Sequence, residues 1–122
     1  MKFRNLVSTL PIMALAAAGA SPALSQDLSQ EVVLDGLESP WDMAFLDDGT
    51  MFYTEKCDGL SVMMPSGDVN ALLGMNESEG YNSVAEDLFC EGQAGMMGVA
   101  VDPDFADNRR IYVYSTSNMS TP

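Results

Sequence analysis

Residues 91–101 read EGQAGMMGVAV, which sets Gln93 between Gly92 and Gly95 just ahead of an apolar run. A primary amide donates and accepts hydrogen bonds at once, so it suits a polar ligand. Glycines on either side allow a ligand or another backbone to come close. The same amide could instead satisfy backbone groups of its own loop, and the local pattern leaves both readings open. The chain contains no histidine, the side chain most often used as a general base near neutral pH. No catalytic residue is therefore assigned within it. Cys57 and Cys90 are its two cysteines.

Weaker signals have plainer explanations. Asp102, Asp104, Asp107 and Asn108 superficially resemble a calcium loop, but Asp107 and Val113 stand where such a loop needs Gly and Glu. A solvated turn capped by aspartates is the better reading. The pairs Met63-Met64 and Met96-Met97 could be copper ligands, yet strand packing explains them more simply. Two sulfurs without histidine make a poor zinc site, so no metal site is assigned. Asn76-Glu77-Ser78 and Asn118-Met119-Ser120 match glycosylation sequons, which matter only in a eukaryotic secretory pathway.

The elements that must position Gln93 are short apolar runs separated by turn signals, an all-β signature. EVVL (31–34) comes first. Residues 42–46, 50–55, 59–64 and 68–73 then read as four consecutive antiparallel strands. Asp48-Gly49 joins the first pair, a strong hairpin signal, and Pro65-Ser66-Gly67 joins the third to the fourth. A connection over 74–95 follows, and at about 22 residues it is long enough to expect a function. Residues 96–101 and 111–116 begin the pattern again. A repeating four-stranded meander is the unit of a β-propeller; a small sandwich is the alternative. Closure needs at least about four blades, and this chain holds about one and a half, so it is read as a truncated piece of a longer protein.

Successive turns of a meander alternate between its two ends. Asp48-Gly49, Pro65–Gly67 and the acidic DPDFADN segment (102–108) share one end. Pro40-Trp41, Lys56-Cys57-Asp58 and the 74–95 connection share the other, which carries Gln93. Both cysteines lie there too, so a Cys57–Cys90 disulfide is expected, pinning the long connection to the first blade.

Residues 1–25 have the form of a secretory signal: Lys2 and Arg4, an apolar stretch from Leu6 to Ala20, and small residues at Ala23 and Ser25. The protein is expected to be exported, periplasmic or extracellular, with no membrane segment after cleavage. Residues 26–122 would keep Lys56, Arg109 and Arg110 against all 18 carboxylates, a net charge of −15. Such acidity excludes nucleic acid, which requires a basic patch. The oxidising export route also favours the disulfide.

LDGLESPWDMAFLDDGTMFYTEK followed by GQAGMMGVAVDPDFADNRRIYVYS resembles the opening of the glucose/sorbosone dehydrogenase family, over residues 32 to 116. That family comprises exported six-bladed propellers which oxidise sugars with pyrroloquinoline quinone and calcium. The resemblance implies an aldose or related sugar as substrate, an electron acceptor as partner, and Gln93 beside the quinone and the substrate pocket. It departs from the family at Lys56, where arginine is usual, and at Asp102, where histidine is common. Cys57 and Cys90 are not part of the general pattern. The implied mechanism takes its histidine base and its cofactor-binding cations from later blades, so residues 26–122 alone are expected to be inactive and not to bind the quinone tightly. Two other classes compete: a calcium-dependent lactonase-type propeller, with Glu55 as candidate ligand, and a non-catalytic propeller serving as a binding module.

Overall fold

The computed structural model describes residues 28–76 and 78–118. The signal expected at 1–25 lies outside them, as do Glu77 of the first sequon and Met119 and Ser120 of the second. Chain contacts divide the protein at Glu31. Of the first unit only 28–31 are described, without regular structure. Every described strand belongs to the second unit.

Six strands fall where the alternating pattern places them. They are β1 (Pro40–Phe45), β2 (Met51–Glu55), β3 (Gly59–Met63), β4 (Val69–Met75), and later β6 (Met96–Val101) and β7 (Ile111–Ser115). β1 to β4 form an antiparallel meander in sequence order, and β6 pairs with β7 as the start of a second sheet. The strand order is the one expected of a first propeller-type blade and the opening of a second. Both tight turns of the first blade close in the same way. Leu46 N donates to Thr50 O at 2.9 Å and Met64 N to Asp68 O at 2.8 Å.

One local reading is corrected and two short elements are added. EVVL forms no strand; Val32 and Val33 are exposed coil. The connection after β4 is not structureless, for Ser83–Ala85 forms β5, which adds to β4 in parallel as a fifth strand. Only three residues pair, so the chain doubles back just about 7 Å to reach register, and no helical crossover is needed. A four-residue helix, α1 (Phe105–Asn108), occupies the acidic segment, too short to leave a helical period.

Period 2 decides which side chains meet. Phe52 faces Val62 and Thr54 faces Leu60 across β2 and β3, on the face that packs against the second blade. The core there is Phe52, Leu60, Val62, Met75, Met96 and Val99. Met75 and Met96 are almost wholly buried, consistent with methionine packing rather than ligation for Met96. The Phe105 ring from α1 meets Phe52 edge-on, with centroids 5.8 Å apart.

The long connection is fastened by shape as well as by bonds. Gly59 and Gly74 are direct partners across β3 and β4. The Tyr81 ring covers both: a Cβ on either glycine would stand 2.9 Å from a ring carbon. Only two residues without side chains at this pair leave room for the ring.

Candidate functional site

The structure gathers the predicted elements at one end of the first blade. Pro40 pairs with Glu55, and Lys56 N donates to Ser39 O at 3.1 Å. Lys56 O in turn accepts Met96 N at 2.8 Å, bringing the β2–β3 turn to the entrance of β6. Cys57 and Cys90 are bonded, with Cα atoms 5.1 Å apart. The disulfide expected from turn alternation is therefore present, and it ties the connection to the blade three residues ahead of Gln93.

Gln93 sits in a tight turn in which Ala94 N donates to Glu91 O at 2.8 Å. Its side chain is exposed. Among the described residues no hydrogen bond engages its amide, so the loop-satisfying role left open by the sequence finds no partner here. Gly92 has φ 57°, in the left-handed region that glycine enters without steric cost. Gly95 lies against Lys56: a Cβ there would meet the Lys56 carbonyl and stand 2.6 Å from its Cγ. The Lys56 ammonium reaches the other glycine and donates to Gly92 O.

Two features of this end go beyond its placement by turn alternation. β1 carries a bulge between Pro40 and Asp42, which sets Trp41 outside the regular ladder and leaves it 50% exposed. Bulges of this kind commonly re-aim a side chain near a site. Ser39 adopts φ 53°, unusual for a residue with a side chain, and its carbonyl receives Lys56 N. The only hint in the sequence was the turn dipeptide Ser39-Pro40.

The remaining candidates are placed elsewhere or already engaged. Glu55 Oε1 accepts Glu38 N at 2.6 Å. Among the described residues no group of three or more His, Cys, Asp or Glu could hold a metal ion. Asp102 is at the opposite end, where 45–48 and 101–109 line a cleft of about 520 Å³. Its carboxylate accepts Tyr112 Oη at 2.6 Å and Asp104 N at 2.9 Å. The Tyr112 bond holds its pKa below the ordinary carboxylate value. Asn108 Oδ1 accepts Arg110 N at 2.9 Å. This is the aspartate-capped turn expected from the sequence, with α1 inside it. Arg109 and Arg110 belong to this end; the Arg109 guanidinium lies 5.4 Å from the centre of the Phe105 ring.

The residues around Gln93 do not by themselves suit an anionic cofactor. Glu38, Glu55, Asp58 and Glu91 bring negative charge to this end, and the one ammonium there among the described residues, Lys56, donates to Gly92 O. What this end presents is an exposed amide on a turn closed by the Ala94–Glu91 bond. Among the described residues no helix is long and apolar enough to cross a membrane.

Known proteins share the sequence and fold of this chain. The aldose sugar dehydrogenase YliI of Escherichia coli is 30% identical over 105 residues, covering 85% of this chain and 25% of that protein. Quinoprotein glucose dehydrogenase B of Acinetobacter calcoaceticus is 28% identical over 121 residues, 91% of this chain and 24% of its own length. The PQQ-bound aldose sugar dehydrogenase of Streptomyces coelicolor shares the fold, with a TM-score of 0.55 at 24% identity over 72% of this chain and 24% of that one. The chain thus spans about a quarter of the length of each. The family model for glucose/sorbosone dehydrogenases matches residues 37–121, a span holding every strand and the whole Gln93 turn, and the chain belongs to that family.

Proposed function

We propose that this chain is the N-terminal part of an exported six-bladed quinoprotein that oxidises an aldose or related sugar, with Gln93 facing the cofactor or the substrate. The observation that carries the reading is the exposed, unengaged Gln93 amide on a turn held at three points, inside the family match. Pyrroloquinoline quinone, when bound with calcium, would accept the hydride; the relatives named for quinone or sugar support this. The part played by the chain itself is to bind and orient. Gln93 can donate to one polar group of a ligand while accepting from another. The proton of the sugar hydroxyl has no histidine to go to here, and the base is assigned to later blades. Residues 26–122 alone are accordingly inactive, residues 1–25 are removed on export, and an electron acceptor takes the reducing equivalents.

The test is Gln93→Ala in the protein expressed from its complete reading frame and loaded with quinone and calcium. Loss of one ligand hydrogen bond should lower kcat/KM for the sugar about tenfold, with thermal unfolding unchanged. Wild-type kinetics in the variant would remove Gln93 from the site. A wild-type protein without quinone-dependent sugar oxidation would overturn the function itself, and calcium-dependent lactone hydrolysis in its place would identify the alternative.

A further inference from the structure

Both glycines of the Gly92-Gln93-Ala94-Gly95 turn are contact points of a single side chain. The Lys56 stem passes where a Cβ on Gly95 would stand, 2.6 Å from Cγ. Its ammonium then reaches across the turn to the Gly92 carbonyl. Gln93 lies between these two points. The backbone of Lys56 adds the bonds to Ser39 O and from Met96 N, and the next residue, Cys57, is bridged to Cys90. Lys56 is the only basic side chain at this end among the described residues.

Resting on the reading of Gln93 given above, we propose that Lys56 is a positioning residue that fixes Gln93 by holding the Gly92 carbonyl. The physical need is specific. A glycine in the left-handed region has a backbone that rotates freely in the absence of a constraint. An unfastened Gly92–Gln93 peptide would let the amide wander before any ligand arrives. A charged donor on a long stem restrains that carbonyl more strongly than a neutral one would. The disulfide anchors the chain two residues before Gly92 and the Ala94–Glu91 bond closes the turn, but neither engages the Gly92 carbonyl. Lys56 supplies the missing constraint.

Three variants of the protein expressed from its complete reading frame test this. Lys56→Met keeps the stem and removes the donor; Lys56→Arg keeps both charge and donor; Lys56→Met combined with Gln93→Ala asks whether the two act as one. In Lys56→Met the Ala94 amide, bonded only within the turn, should exchange its hydrogen about five- to tenfold faster. The Val99 amide, held by Asp42, should exchange at the wild-type rate, and Lys56→Arg should restore Ala94. Kinetically, Lys56→Met should lower kcat/KM, and the double variant should be no worse than Gln93→Ala, because both remove the same oriented amide. Unchanged exchange at Ala94, or kinetic losses that multiply, would overturn the proposal. A silent Gln93→Ala would instead defeat the functional reading, while the exchange rates still decide the clamp.

Discussion

The Asp42 carboxylate accepts the Val99 amide at 2.9 Å, a side chain of the first blade serving a backbone group of the second. β6 is an edge strand and also bulges between Met96 and Val99, so groups on its outer side have no strand partner. A second such group, Met97 O, accepts Thr54 Oγ1 at 2.5 Å. This edge is thus met by two side chains, from β1 and β2, and the two sheets are stitched together just beyond the Gln93 turn.

Thr54 is 0% exposed, so Thr54→Val should leave the half-buried Met97 carbonyl without a donor and cost about 1–3 kcal/mol. Asp42 is exposed, and Asp42→Ala should cost about 1 kcal/mol, with Asp42→Asn recovering most of it because an acceptor remains. Urea unfolding midpoints would check the order. A Thr54→Val protein as stable as wild type would show that the stitch contributes nothing.

The Cys57–Cys90 bond closes a loop with a sequence separation of 33. Its removal by the double substitution to serine should destabilise the fold by about 3–4 kcal/mol, from entropy restored to the unfolded chain. Thermal unfolding with and without reductant would give the same answer for the unmodified protein. Equal melting in both conditions would mean that β5 and Tyr81 hold the connection unaided.

Acid should act through Asp102. The Tyr112 hydroxyl bond, chiefly, holds its folded pKa below the unfolded value. A depressed carboxylate stabilises the fold fully above the unfolded pKa of about 4, and that contribution is lost as the pH falls through the folded one. The same bond raises the Tyr112 pKa, so the pair stays intact through neutral pH. In Tyr112→Phe the Asp102 titration, followed by NMR, should move upward, and acid unfolding should begin at a higher pH. An unmoved titration would show that the bond is not formed in solution.

Much of this site is legible in the residues, for an identifiable reason. Asp48-Gly49 and Ser66-Gly67 mark turns, and alternation between them marks strands, so counting turns was enough to bring Lys56, Cys57, Cys90 and Gln93 to one end. β5 escaped notice because Ser83–Ala85 is too short to show alternation and pairs in parallel, without a hairpin signal. EVVL misled in the opposite way: it has the composition of a strand, but no partner among the described residues. The Gly59–Gly74 pair gave no warning of Tyr81, since its fit depends on a register shift between Leu60 and Ser61.

By itself, then, the sequence determined the meander, its turns, the end at which each loop emerges and the family, because these follow from local turn chemistry, period-2 burial and motif order. Only the tertiary structure decided that Lys56 spans the two glycines beside Gln93, and that Asp42 and Thr54 answer the outer side of β6. Those contacts join residues 36, 57 and 43 positions apart. They depend on bulges and register, which displace a strand by a single residue and leave its apolar pattern almost unchanged.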